Sequence, residues 1–315
     1  MVTGAAGFIG TNLCEKLLSS GNQVIGIDSL TSNYDINIKN KNLAQLQEYS
    51  DFNFRSFDLL TAPIGPLLDN VEVIFHLAGQ PSVQNSWGED FQIYVDRNIV
   101  LTQRLLRSAI DAGITKFVNS SSSSIYGKVH FTPTPETYEK TPVSPYGVTK
   151  LAAENLCTLY GKEYGLPTVS LRYFTVYGPR QRPDMAFNKI IQAGLQGSAF
   201  NLHGDGSQLR DFTYVGDVVE ANLLAAEAKT DPGSIFNIGG GSPLTMTSAI
   251  QEIEKILGRS VEVIRQPFGF GNPMITEADC TTAKNTLGWI PKVQIGEGLK
   301  SQVLWHRQFI NQEKF

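Results

Sequence analysis

The sequence predicts an α/β fold, a doubly wound parallel sheet followed by a smaller mixed C-terminal lobe, and three observations lead there. Short β-branched runs alternate with stretches of helical apolar spacing through the first half, a glycine cluster from Gly4 to Gly10 follows the first apolar residues, and the alternation fades near Gly178. Strands separated by amphipathic helices imply right-handed βαβ units, and such units build a parallel sheet.

Only residues 1–3 precede Gly4, whereas an ordinary strand runs about 5–6 residues. The first strand is therefore expected either to start upstream of Met1 or to be short and central. Residues 23–28, 53–57, 71–77 and 116–120 read as further strands and 167–173 as a sixth, with helices at 12–19 and 98–112 between them. The five serines Ser120 to Ser124 resemble a linker, but Val118 before them and Ile125-Tyr126 after them make a strand end the expectation. Beyond Gly178, Pro and Gly become frequent, and helices are expected near 215–228, 245–257 and 296–310. Residues 1–178 thus form one domain and 179–315 a second lobe, with some exchange of chain between them.

Bulk properties narrow the function. At 315 residues with 41% apolar content the chain has ample core. A net charge of −4 without a basic run offers little to a polyanion, so nucleic acid is not the expected partner. Cys14, Cys157 and Cys280 are odd in number and far apart, which fits a reducing compartment without disulfides. No apolar run reaches the roughly 20 residues of a membrane span, and the start does not read as a signal peptide. The cytoplasm is expected. The histidines His76, His130, His203 and His306 are scattered and the cysteines unclustered, so no metal site is expected. Gly239-Gly240-Gly241 follows a strand at 235–238 and lacks the Lys-Ser of a phosphate loop, which leaves an ordinary turn.

Gly4-Ala5-Ala6-Gly7-Phe8-Ile9-Gly10 joins the first strand to the first helix. Missing side chains there let the backbone approach a pyrophosphate, whose charge meets the helix N-terminus. Asp28 closes the next strand at about the 20-residue distance where a carboxylate accepts hydrogen bonds from an adenosine ribose. It repels a 2′-phosphate, so the expected cofactor is NAD. Asp58, followed by Leu59 at another strand end, is a second candidate for the adenine edge.

Ser144-Pro145-Tyr146 reads as a helix start, Ser144 as N-cap and Pro145 in the first turn. Tyr146 and Lys150 then share one helix face, where the ammonium favours the phenolate and makes the tyrosine a usable acid/base.

Taken in order, Gly4-x-x-Gly7-x-x-Gly10, Asp28, Leu77-Ala78-Gly79, the serine run, Tyr146-x-x-x-Lys150 and Arg172-Tyr173-Phe174 resemble the extended short-chain dehydrogenase/reductase family over nearly the whole chain. The segment Arg172-Tyr173-Phe174-Thr175-Val176-Tyr177-Gly178-Pro179-Arg180-Gln181-Arg182-Pro183-Asp184-Met185-Ala186 is similar to UDP-glucuronate 4-epimerases among its nucleotide-sugar 4-epimerases. The resemblance implies a Rossmann domain holding NAD, a UDP-sugar substrate and a homodimer built on the helices at 98–112 and 147–163. It also implies that Ser122 partners Tyr146 and that Asn98, Ser120 and Tyr173 seat the cofactor. Related dehydratases carry Asp-Glu where this chain has Ser123 and Ser124, and related decarboxylases a glutamate at the latter. Lacking both acids, this chain is left with oxidation and re-reduction at one carbon.

For a glucuronate the 4-keto intermediate is a β-keto acid, and Thr175, Arg182 and Ser124 are expected to fix its carboxylate, an arginine fork holding a plane that a point charge does not. Arg210, within Gly204-Asp205-Gly206-Ser207-Gln208-Leu209-Arg210, is implied to meet the diphosphate, and Phe187, Asn188, Asn201 and Leu202 the base and ribose. Where some relatives carry a further arginine, this chain has Pro267-Phe268-Gly269-Phe270-Gly271-Asn272-Pro273. A 4-epimerase of neutral UDP-hexoses is the alternative, and a silent NAD-binding scaffold or a lyase is disfavoured by the intact Tyr-Lys pair and the serines.

Overall fold

The computed structural model describes residues 1–312. The first half runs β1 (Val2–Thr3), α1 (Phe8–Ser19), β2 (Val24–Asp28), α2 (Ile36–Leu46), β3 (Phe52–Ser56), β4 (Val73–His76), α3 (Phe91–Tyr94), α4 (Leu101–Asp111), β5 (Lys116–Ser122), α5 (Pro145–Tyr164) and β6 (Thr168–Tyr173). The remainder adds β7 (Thr175–Tyr177), α6 (Ala186–Gln196), β8 (Phe200–His203), β9 (Leu209–Arg210), β10 (Phe212–Tyr214), α7 (Val215–Glu227), β11 (Ser234–Ile238), β12 (Leu244–Thr245), α8 (Met246–Leu257), β13 (Val263–Gln266), α9 (Thr281–Leu287) and α10 (Ile295–Gln312).

Seven parallel strands form the main sheet in the order β11-β6-β5-β4-β1-β2-β3. The two residues of β1 sit at its centre, paired to β2 on one side and β4 on the other. Alternating β5 side chains feed opposite faces, as a period of two requires. Val118 packs with Leu13 of α1 and Val218 of α7, while Phe117 packs with Leu105 of α4 and Cys157 of α5. After leaving the sheet at β6 the chain returns to it, because β11 pairs with β6 along its whole length and α7 covers α1. A separate core of Phe187, Ile190, Phe212, Ile250 and Leu299 supports the second lobe, whose small sheets are β10-β7, β12-β9 and β13-β8.

Two elements differ from their sequence expectation. β5 runs on to Ser122, because Ser120, Ser121 and Ser122 pair with Leu171, Arg172 and Tyr173 of β6 and their small side chains fit a buried strand. The expected helix at 98 starts earlier, at Phe91, and passes through a π-helical turn at Val95–Val100 before α4. That turn sets Asn98 into the protein instead of on the helix surface. No helix among the described residues is long and apolar enough to cross a membrane.

Candidate active site

Because β1 lies between β2 and β4, successive connections diverge at its carboxyl end, the crevice where open parallel sheets bind ligands. The glycine loop after β1 and Leu77-Ala78-Gly79 after β4 line this cleft, together with Asp28, Leu59, Asn98, Ser120, Tyr146, Lys150, Tyr173 and Arg182. Gly4 has φ 71°, and a Cβ on Gly10 would stand 2.1 Å from the Gly4 carbonyl oxygen, so neither position admits a side chain. A Cβ on Gly7 would meet only that oxygen, at 3.1 Å. Gly7 caps α1 without any side-chain hydrogen bond, leaving first-turn N–H groups for an anion. Backbone access, free N–H donors and a carboxylate at the far end together fit a dinucleotide.

At that far end the Asp28 carboxylate accepts from Leu30 N at 2.8 Å and from Ala6 N at 3.2 Å. The buried Lys39 ammonium lies 3.7 Å from it and 5.1 Å over the Tyr34 ring. Asp58 is occupied otherwise, since Arg97 donates to both its oxygens at 2.8 and 2.9 Å, and Leu59, not Asp58, reaches the cleft wall.

Ser144 caps α5 by accepting from Gly147 N at 3.1 Å, with Pro145 in the first turn. Burial pushes the Tyr146 phenol above its ordinary value, opposed by the neighbouring Ser122 hydroxyl and by the charge of Arg182. Lys150 donates to the Ser120 carbonyl, and burial, partly opposed by Cys157 and Glu154, brings its ammonium down to about 8. Lys150 is thereby anchored to the strand that carries Ser122, on the helix that carries Tyr146, and the charge of Arg182 also favours the phenolate. Tyr94 packs edge-on to Tyr146 at 6.4 Å. Ser122 also accepts from Ser124 N at 3.1 Å, which fixes its hydroxyl at the turn after β5.

Asn98 spans the site. Its amide donates to Gln80 O at 3.1 Å and Thr149 Oγ1 at 2.9 Å and accepts from Gln80 N at 2.8 Å, clasping the loop after β4 to α5. Tyr173 donates its hydroxyl to Asn222 at 3.0 Å and lines the cleft.

A second cleft, lined by Asn201, Leu202, Arg210, Lys189, Gln208 and Phe268, lies in the C-terminal lobe. Among the described residues Arg210 hydrogen-bonds only backbone carbonyls, Leu209 O at 2.9 Å and Met274 O at 3.3 Å, and burial lowers it to about 10. A half-buried guanidinium without a carboxylate partner among the described residues suits an anionic ligand. Gly269 and Asn272 also line this cleft, so the segment standing where relatives have an arginine does face it.

Other candidates are placed differently. Phe187 is wholly buried against Phe212, 4.3 Å between ring centres, and belongs to the core. Asn188 bonds Gln181 through its backbone N–H at 3.0 Å and its amide at 2.6 Å, leaving its buried Oδ1 without a partner among the described residues. Thr175 hydrogen-bonds Asp211 O through its backbone N–H at 3.1 Å, and with Ser123 and Ser124 it lies outside both cleft walls. Residues 239–241 turn to let Gly240 and Gly241 donate to Asp211 at 2.7 and 3.1 Å. Lys39, Arg97 and Gln80 in the first cleft and Lys189 in the second are not legible in the sequence, because each looks like an ordinary polar residue until the fold turns it inward. Among the described residues, no cluster of three His, Cys, Asp or Glu is arranged to hold a metal ion.

A model of the NAD dependent epimerase/dehydratase family matches residues 1–239. An uncharacterized UDP-glucose epimerase, YtcB, of Bacillus subtilis (strain 168) is 42% identical over 97% of this chain and 96% of its own. A UDP-glucuronate 4-epimerase of Thermodesulfobacterium geofontis (strain OPF15) is 36% identical over 98% and 96%. Among solved structures, UDP-glucuronic acid 4-epimerase from Bacillus cereus, in complex with UDP-glucuronic acid and NAD, superposes with a TM-score of 0.94 at 41% identity over 98% of each chain.

Proposed function

The chain belongs to the NAD dependent epimerase/dehydratase family, and from that premise we propose that it inverts C4 of a UDP-sugar, converting UDP-glucuronate to UDP-galacturonate through a transient 4-keto intermediate. The observation that carries the sugar's identity is Arg182, a guanidinium in the same cleft as Tyr146 and Lys150. A fork of donors in the cleft of the acid/base pair answers a C6 carboxylate and finds no anion on a neutral hexose.

Gly4, Gly7, Phe8, Ile9, Gly10, Asp28, Leu59, Leu77, Ala78, Gly79 and Tyr173 would hold NAD, which accepts hydride from the sugar C4 and returns it. Tyr146 takes the C4 hydroxyl proton as oxidation proceeds and gives it back on re-reduction, with Ser122 sharing the hydrogen bond. Lys150, held at the Ser120 carbonyl one helical turn from Tyr146, supplies positive charge that favours the phenolate. Arg210, with Asn201 and Leu202, retains the UDP portion while the sugar turns to present its other face. Ser123 and Ser124 supply no carboxyl group to move a proton at C5, so elimination lacks its acid and base.

A second reading, epimerisation of a neutral UDP-hexose, is favoured by one observation: Arg182 already pairs with Asp184. Incubation of the purified chain separately with UDP-glucuronate and UDP-glucose, with epimers and any pentose resolved chromatographically, separates the two. Galacturonate from the first alone supports the proposal, whereas galactose from the second alone overturns it. Exposed Val100 on the turn before α4 and Val148, Leu159 and Tyr164 on α5 favour a homodimer through these helices. A monomeric mass by light scattering would contradict that.

A further inference from the structure

We propose that Asp184 is a positioning residue that fixes the plane of the Arg182 guanidinium and thereby holds the substrate carboxylate away from the alignment that releases carbon dioxide. This rests on the glucuronate reading above. Arg182 Nε and Nη2 donate to Asp184 Oδ1 and Oδ2, each at 2.9 Å, two parallel bonds that set the guanidinium coplanar with the carboxylate. Nη1 has no acceptor among the described residues, and the side chain forms part of the wall that also holds Tyr146. The side edge of the fork is thus taken within the protein, and its end remains for a ligand.

The backbone beneath is fixed as well. Met185 N donates to Arg182 O at 3.1 Å, closing a turn with Pro183 inside, and the proline ring restricts the relation between Arg182 and Asp184. One residue upstream, Gln181 bonds Val176 O at 3.0 Å and Gln302 at 2.8 Å. Arg180, at φ 67°, reaches Asn12, Glu15 and Gln45 at 3.1, 2.8 and 2.7 Å. With the main chain held on both sides, the freedom left at this point is rotation of the Arg182 side chain, and Asp184 removes it. Asp184 itself lines the second cleft while Arg182 lines the first, so the pair stands between the two clefts.

In a 4-keto glucuronate, the C5–C6 bond breaks when it lies parallel to the carbonyl π orbital. Its electron pair passes to C5, C4 and O4 as an enolate, carbon dioxide leaves, and C5 takes a proton from water to give a 4-keto pentose. A carboxylate held by an arginine of fixed plane keeps C5 and its carboxyl group from turning into that alignment, and one held by a freely rotating arginine does not.

The test uses the full chain, wild type and Asp184→Asn, with UDP-glucuronate, measuring carbon dioxide and pentose nucleotide against epimer by mass. The ratio of decarboxylated product to epimer is expected to rise at least about tenfold in Asp184→Asn and to fall back in Asp184→Glu. An unchanged ratio, or a variant that binds UDP-glucuronate and consumes none, overturns the inference alone. A wild type that leaves UDP-glucuronate untouched overturns the substrate reading, and the inference with it. Should Asp184→Asn not fold, Asp184→Ser on this exposed turn carries the same expectation.

Discussion

Glu154 and Arg172 face each other wholly buried, with Oε1 to Nη2 at 2.7 Å and Oε2 to Nε at 2.9 Å, one helical turn beyond Lys150. The same carboxylate accepts from Ser121 Oγ at 2.7 Å. One buried ion pair thus joins the helix bearing Tyr146 and Lys150 to the strands bearing Ser122 and Tyr173. Replacing Glu154 by Gln leaves a desolvated guanidinium without its counter-charge, and the expected loss is about 3–5 kcal/mol of unfolding free energy. Urea denaturation measures it; a loss below about 1 kcal/mol, no more than an exposed ion pair contributes, contradicts this account.

The last two glycines of the loop, Gly7 and Gly10, separate fold from binding. Gly10→Ala drives a methyl group into the Gly4 carbonyl and is expected to destabilise the chain. Gly7→Ala meets a single contact at 3.1 Å and is expected to fold while NAD affinity falls at least about tenfold, because the methyl group occupies the backbone's approach to the pyrophosphate. Thermal melting and NAD titration of both variants distinguish these effects. Equal NAD affinity in Gly7→Ala and wild type would remove the loop from the binding site.

Arg210→Ala deletes a cation that has no carboxylate partner among the described residues, so the fold is expected to lose little. KM for the UDP-sugar should rise about 10- to 100-fold with a smaller change in kcat, as removal of uniform binding requires. Steady-state kinetics decide the matter, and an unchanged KM excludes Arg210 from the nucleotide site.

Two buried histidines set an acid limit on stability. Burial, with the Lys150 charge adding to it, lowers His76 from 6.5 to about 3, and burial alone lowers His306 to about 4. The unfolded chain therefore takes up these protons first as pH falls. Stability fully present above about pH 6.5 is lost below it, at about 1.4 kcal/mol per pH unit for each imidazole. His306 Nε2 has no partner among the described residues, so His306→Leu should fold and show a shallower decline between pH 6.5 and 4.5. Urea midpoints that fall equally in both proteins would count against this assignment.

Much of this was legible in the sequence where local chemistry and fold agree. The glycine loop, Asp28 and the capped helix of Tyr146 and Lys150 follow from spacing, because each needs only its own strand or helix to be placed. The burial of Asn98 was not legible, since a π-helical turn leaves no mark in apolar periodicity. Neither was the pairing of β11 with β6, which needs a strand 61 residues beyond Tyr173 to return to the sheet edge. Asp58 reads as a free carboxylate until Arg97, 39 residues away, is folded onto it. Phe187 and Asn188 satisfy a ligand pattern and a core pattern equally well in one dimension, and packing against Phe212 and Gln181 decides between them.

The proposed epimerisation depends most on the phenol of Tyr146, and its removal in Tyr146→Phe is the most direct test. Turnover of UDP-glucuronate should fall about 10²- to 10⁴-fold while affinity for the nucleotide sugar stays within about threefold, since the ring remains and only the proton carrier is lost. Turnover within a factor of about two of wild type, with the substitution verified and binding intact, would contradict the role assigned to that residue.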